Sequence, residues 1–411
     1  MKISILAVCL MLLTSLAFAD DWPQHLGPNR NGISAEQGLI ADIPDSGLNV
    51  LWQVSGGVGM SGVAVADGTA ITIVQRDNKQ IVIALDAKTG ESKWEVRVAP
   101  EFKNSMGNGP RAFPCIHKDN VIVFTGQGNL ISLNLADGST NWSIETVKVF
   151  GGQIADYGMA CSPLIVGDTV AVTTGHKDGS ALAAYNLDDG KEAWHLSWPD
   201  AIGYSSPSLL TLADKEQIVV YTGTNVRGVD TTGKSLWSYE YVTPFDCNIV
   251  TPQLVGKDLF FSSGENHGSV LLSVAKGKDS YKLTEKWSSQ GPSSVLRNEW
   301  QTSVLIDGYL YGWDNVGGAG PITHLKCVNA TTGELAWEEL RFGKGNFTAA
   351  DGKLFLNMMS GELVVIEANS KEYVELSRQK VHRGSRQAPT LSNGILYLRD
   401  DATITALSVS K

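Results

Sequence analysis

The sequence is poor in the residues that usually announce a chemistry. Of its five cysteines none is adjacent to another and none forms a C-x-x-C pair, which excludes a recognisable disulfide framework and a c-type haem attachment. The seven histidines, at positions 25, 117, 176, 195, 267, 324 and 382, show no H-x-x-x-H or H-E-x-x-H spacing, so a zinc hydrolase has no basis here. No G-x-S-x-G elbow occurs, and Ser273-Val-Ala-Lys276 lacks the partners of an acylating serine. Charged residues are only 18% of the chain, and the 33 basic ones are outnumbered by 43 acidic ones. A surface of that sign repels phosphate, which excludes broad binding of nucleic acid or anionic membranes. Beyond the first residues no apolar run approaches bilayer-spanning length.

The one long apolar run lies at the start. Met1-Lys2 gives a short basic region, Ile3 to Leu16 is almost unbroken apolar, and Ala17-Phe18-Ala19 places small residues at −3 and −1 for cleavage before Asp20. Cys9 sits inside this run rather than just after it, which argues against a lipid-anchored form. The expectation is an exported chain, periplasmic or extracellular, with residues 1–19 as signal peptide and no membrane span in the mature protein. Cys115, Cys161, Cys247 and Cys327 then remain, and are expected as buried free thiols.

What the chain has in abundance is glycine (43) and tryptophan (11), set in a degenerate repeat of roughly 46 residues. Ala84-Leu-Asp86-Ala-Lys-Thr89-Gly90-Glu-Ser-Lys-Trp94 is the clearest copy. Asn134 through Gly138 to Trp142, Asn186 through Gly190 to Trp194, and Asn329 through Gly333 to Trp337 keep its spacing, and Asp230 through Gly233 to Trp237 is one residue shorter. The Asp or Asn side chain can bond the backbone ahead, glycine accepts positive φ in the turn, and the tryptophan suits packing between sheets. Two further strand signals precede each motif, as in Ser162–Val166 and Thr169–Thr173, making four short antiparallel strands per unit. Trp52, Trp94, Trp142, Trp194, Trp237, Trp287 and Trp337, with Leu376, mark eight outer strands. Trp52 has a strand around it but none before it, whereas 394–399 and 403–410 are strands with no tryptophan strand after them. The reading is all-β: an eight-bladed propeller closed by the N-terminal strand completing the last blade. Residues 20–47 become an extension packed on the propeller, and 48–411 a single propeller domain, expected as a monomer.

Two nucleotide motifs are overruled by this register. Gly228-Val-Asp-Thr-Thr-Gly233-Lys234-Ser235 spells a Walker A loop, but a strand carrying Trp237 follows where a phosphate loop needs a helix. Gly57-Val-Gly59-Met-Ser-Gly62 spells G-x-G-x-x-G outside any βαβ setting, and reads as a flexible link between blades.

The A-x-D/N-x-x-T/D-G-x-x-x-W pattern resembles the repeat of the pyrroloquinoline-quinone (PQQ) propellers. That superfamily includes quinoprotein alcohol dehydrogenases and the propeller lipoprotein of the outer-membrane barrel-assembly machine. A narrower likeness is to secreted bacterial members whose start resembles Asp21-Trp22-Pro23-Gln24 and Gly27-Pro28-Asn29-Arg30-Asn31-Gly32. The resemblance implies either a PQQ- and calcium-dependent alcohol or polyvinyl-alcohol dehydrogenase, or a non-catalytic propeller. The dehydrogenases of this fold have a vicinal cysteine disulfide, a calcium site and a catalytic aspartate. No residue here matches them one by one, so no catalytic residue, metal or cofactor is assigned and the non-catalytic scaffold is preferred.

Propellers bind where the outer strand of one blade crosses to the inner strand of the next. Aligning the inner strands on Pro114, Pro163, Pro207, Pro252 and Pro389, and the others on Asp67, Asp307 and Asp351, places one residue per blade at the axial rim. These are Arg111, Ala160, Tyr204, Ile249, Arg386, Met60, Trp300 and Lys344. Arg111, Lys344 and Arg386 with Tyr204 and Trp300 point to an anionic or sugar-like ligand, or to an unidentified protein partner. A polysaccharide-binding propeller is the third alternative.

Overall fold

The computed structural model describes residues 21–318 and 322–411; the signal peptide assigned above lies outside the described residues. The strands form eight four-stranded antiparallel sheets, the blades of a β-propeller. Blade one runs outward from the axis through Ala64–Ala66, Thr69–Arg76, Lys79–Asp86 and Ser92–Pro100. Blades two to seven repeat this order over residues 115–145, 164–198, 208–240, 253–290, 304–339 and 345–380. The two middle strands of a blade are covered on both faces by neighbouring blades, which is why Ile81–Leu85 is an unbroken apolar run and Ile71–Val74 is interrupted only by buried Thr72. The outer strand alternates instead, with Trp94 buried between exposed Lys93 and Glu95.

Blade eight is built from both ends of the chain. Val50–Ser55 pairs antiparallel with Thr403–Ser408, followed inward by Ile395–Arg399 and Thr390–Ser392. Trp52 faces Ala406 and Ser55 faces Thr403. Every outer strand also carries a one-residue bulge, as between Ser92 and Trp94, Thr140 and Trp142, and Glu192 and Trp194. The same bulge lies between Val50 and Trp52, where no hairpin connects the two strands. It therefore does not depend on a connecting turn.

The seat of the tryptophan is in the next blade. The rings of Trp52, Trp94, Trp142, Trp194 and Trp287 lie over Gly90, Gly138, Gly190, Gly233 and Gly333, where a Cβ would come within 2.6–2.8 Å of the indole. Trp52, Trp94, Trp142 and Trp287 donate their indole N–H to the carbonyls of Ala87, Leu135, Leu187 and Ala330 at 2.8–3.0 Å. In the same turns Asp86 Oδ1 accepts from the N–H groups of Lys88 and Thr89, and Asn329 Oδ1 from those of Thr331 and Thr332.

Three blades depart from this pattern. Trp337 donates to the Asn369 carbonyl of blade seven at 2.7 Å, over a turn without glycine. Trp237 has no such turn beside it and donates to Gln217 Oε1 of its own blade at 2.7 Å, with Gly228 leaving room for its ring. In blade seven the register puts Ser377 opposite Val365, in the tryptophan position, and makes Leu376 the bulged residue. A tryptophan there would have no turn to land on, since the corresponding end of blade eight holds the two ends of the strand pair. Residues of the extension occupy the space: Ser377 Oγ donates to the Ala41 carbonyl at 3.1 Å, and Ile40, Ile43 and Leu48 pack with Leu376 and Val409.

The extension does more than cover a seam. Trp22 bridges Val65 of blade one, and the Pro23 carbonyl accepts from Ile116 N–H of blade two. Arg30 donates to the carbonyls of Ser162, Pro163 and Pro207 at the starts of blades three and four, and His25 Nε2 lies 3.1 Å from Thr251 Oγ1 beside blade five. Gly32 abuts Val304 of blade six, Ser34 bonds Ala349 of blade seven, and Glu36 accepts from the N–H groups of Asn393 and Gly394 in blade eight. Residues 22–36 thus touch all eight blades from one end of the channel. The stretch that carried the narrower resemblance is this axial key.

The G-x-G-x-x-G link is not flexible as expected. Arg399, 1% exposed, donates to the carbonyls of Gly57 and Ser61 of the link, and to Ile73 of blade one. Blade eight is thereby clasped to blade one. The Walker-like segment is the end of Asn225–Val229, a turn, and the start of Ser235–Glu240. All four described cysteines are buried free thiols.

Candidate binding surface at the loop mouth

Antiparallel blades give the ring two unlike faces. One holds the hairpins that join first to second and third to fourth strands, and there the key closes the channel. The other holds the second-to-third hairpins and the crossings between blades, so every residue aligned at the rim lies on this loop face.

The three rim cations have different fates there. Arg111 donates through Nε to the Tyr157 carbonyl at 2.5 Å, through Nη2 to Gly107 at 2.6 Å and through Nη1 to Gly109, with its guanidinium 4.6 Å over the Phe102 ring. Burial, with the neighbouring Arg386 charge, lowers its pKa to about 10. It staples two crossings together. Lys344 pairs with Glu299 at 2.5 Å, and burial raises the Glu299 carboxyl against the pull of that lysine. Arg386 is exposed and donates to the Met106 carbonyl at 2.9 Å. Of the aromatics, Tyr204 is 6% exposed and stacks at 5.5 Å on Tyr157, while Trp300 is half-buried. Met60 and Arg386 both approach Gly107.

Arg386 borders a pocket of about 230 Å³, whose wall includes Met60, Asn108, Met359, Gln387 and Asp401. The Gln387 amide donates to the Gly59 carbonyl at 2.5 Å, closing the pocket floor. Elsewhere on this face the charge reverses. Burial pushes the Cys247 thiol up to about 12, reinforced by the carboxylates of Glu265, Glu299, Asp246 and Asp156. Among the described residues no three His, Cys, Asp or Glu side chains are placed to hold a metal ion.

Residues that sequence reasoning passed over dominate the outer part of the face. Met106, Val149, Ile154, Val242, Phe245 and Leu340 are exposed large apolar side chains in the crossings; Val50, Leu51 and Leu335, the others of this kind, lie on outer strands. Apolar residues without periodicity between blades were the available signal. Among the described residues no helix is long and apolar enough to cross a membrane.

Comparison with known proteins comes to bear at this point. A family model described as outer membrane protein assembly factor BamB matches residues 37–172, 78–319 and 323–411. The protein of that name from Yersinia pestis is 23% identical over 376 residues, 83% of this chain and 84% of its own. The one from Moranella endobia (strain PCIT) is 24% identical over 287 residues, 66% of each chain, so the match spans just under two thirds of that relative. Among solved structures, quinohemoprotein alcohol dehydrogenase from Comamonas testosteroni superposes with a TM-score of 0.71 at 14% identity, covering 95% of this chain and 81% of that one. BamB from Moraxella catarrhalis gives 0.57 at 16% identity, covering 87% and 98%. At these identities the structural likenesses concern the fold.

Proposed function

Because the chain belongs to the family of the outer membrane protein assembly factor BamB, we propose that it is an exported, non-catalytic propeller whose loop face is a protein-binding scaffold. The observation that carries this reading is the gathering of exposed apolar side chains on the inter-blade crossings, opposite the face closed by the key. A ring locked by the key, the tryptophan seats and Arg399 holds those crossings in fixed relation, so little ordering accompanies association. Membership of that family supports a site of action in the bacterial envelope, with assembly of outer membrane proteins as the process served.

A dehydrogenase would need the loop mouth to hold PQQ and calcium, and the residues present do not fit that group. Arg111 is committed to three carbonyls and Lys344 to Glu299, while the described residues offer no cluster of metal ligands.

The test uses purified protein with micromolar PQQ and calcium, followed by quinone absorbance and alcohol-dependent dye reduction. Neither signal is expected, and a saturable complex with a protein of the envelope fraction is expected. Cofactor uptake with alcohol-dependent dye reduction would overturn the proposal.

A further inference from the structure

One aromatic side chain is displayed at a conformational cost. Phe245 is 68% exposed and has φ 60°, and Asp246 follows at φ 55°. A left-handed backbone is strained for any residue bearing a Cβ, and more so for two in succession. Nothing in the loop's own packing repays that strain through the phenyl ring, because the ring points into solvent.

The loop is nonetheless rigidly held. Asn248, fully buried, donates its side-chain amide to the carbonyls of Thr222, Gly223 and Tyr241 at 2.8, 3.1 and 3.3 Å. Its Oδ1 accepts from Thr243 Oγ1 at 3.0 Å, and its backbone carbonyl accepts from Tyr204 N–H at 2.9 Å. Asp246 seats its Cβ over Gly223, where any larger residue would collide. Phe245 is thus fixed outward, next to Val242, 51% exposed.

The surroundings indicate what the ring is fixed for. Large aromatic side chains presented with little residual freedom are the typical anchors of protein interfaces. Asp246 follows Phe245 in the chain, and Asp156 lies near enough to add to the upward shift that burial imposes on the Asp246 carboxyl. Glu265 and Glu299 bear on the neighbouring Cys247 together with both. This acidic border disfavours an anionic lipid surface and favours cationic groups across the contact.

We propose that Phe245 is the anchor of a docking surface for a protein that presents an apolar pocket bordered by lysine or arginine. This rests on the scaffold reading and specifies the site and the partner's chemistry.

The experiment places a photoreactive benzoylphenylalanine at position 245, and separately at 106, 154, 340 and the distant 335, in cells that make the protein. The adduct is identified, and that protein is purified and titrated against wild type, Phe245→Ala, Phe245→Gly and Asp156→Asn/Asp246→Asn. The expected result is an adduct at 245 and none at 335. Phe245→Ala and Phe245→Gly weaken binding at least tenfold, and the double Asn variant slows association most at low salt. Phe245→Gly also leaves Tm unchanged or raises it, since glycine relieves the φ strain; a ring needed for folding would lower it. Equal binding of wild type and both Phe245 variants would overturn the anchor while leaving the scaffold reading intact. Absence of a protein adduct at every loop position would remove both. Loss of binding to anionic vesicles or to glycans, in place of a protein, would overturn the proposal in favour of that ligand.

Discussion

Trp52 and Tyr397 donate to the same acceptor, the carbonyl of Ala87, each at 3.0 Å. One comes from the first strand of the ring and the other from the last blade, so both sides of the closure converge on one turn of blade one. Trp52→Phe, which keeps a ring but loses the donor, is expected to cost about 1 kcal/mol, and Trp52→Ala about 3–5 kcal/mol. Urea unfolding of the two variants checks this; equal, negligible losses would mean that the seam is held elsewhere.

Gly228 and Lys234 separate the packing role of the Walker-like segment from a nucleotide role. A Cβ at position 228 would fall 2.1 Å from the Trp237 indole nitrogen, so Gly228→Ala is expected to cost about 1–3 kcal/mol. Lys234→Ala should change stability by less than about 0.5 kcal/mol. Calorimetry with ATP is expected to show no binding to wild type or to either variant.

His25 gives the axial key a pH dependence. Burial, and secondarily the Arg30 charge, lower its pKa from 6.5 to about 3. Above pH 6.5 the ring is neutral whether the chain is folded or not. As the pH falls from 6.5 towards 3 only the unfolded chain takes up the proton, and stability is lost by about 1.4 kcal/mol per unit. His25→Gln should reduce this slope in a plot of unfolding free energy against pH. His117, His267, His324 and His382, also lowered by burial, contribute to the slope that remains, joined at the acid end by carboxylates that hydrogen bonds hold below their usual range, such as Asp86 and Glu375.

Arg111 and Arg386 hold equivalent places in the inner-strand alignment and are expected to behave differently. Arg111→Glu removes three donors from partly buried carbonyls and should lower stability by about 3 kcal/mol. Arg386→Glu should change it by less than about 0.5 kcal/mol, while weakening any anion that occupies the pocket beside it. Thermal unfolding of both variants distinguishes them; an equal effect would contradict the separation into staple and rim group.

The blades were legible because one turn needs glycine at positive φ and one seat needs an indole, so the four clear copies ending at Trp94, Trp142, Trp194 and Trp337 leave both letters at fixed spacing. The closing strand was legible for the same reason, Trp52 being a seat-filler with no blade of its own. Leu376 was harder. The expectation of an apolar marker landed one residue from Ser377, because the bulge in the outer strand does not show in residue order. Counting back from proline or aspartate gathers the rim residues on the loop face, but counting cannot say which cation meets a carbonyl and which meets solvent. Arg30 and His25 carried no legible role, since their partners are backbone carbonyls and a hydroxyl from distant blades. Phe245 was invisible for a related reason: a left-handed aromatic is written in no residue pattern.

The key imposes an order of events on synthesis. Its residues precede every blade in the chain, yet Glu36 finds its partners only at Asn393 and Gly394, and Val50–Ser55 only at Thr403–Ser408. A segment that lies ahead of every blade is therefore among the last that can settle. A polypeptide cut short within its final blade keeps an unlatched ring with open strand edges, which proteases and chaperones can recognise. Latching of the key and closure of the ring become the same event, and both wait on the strands of blade eight.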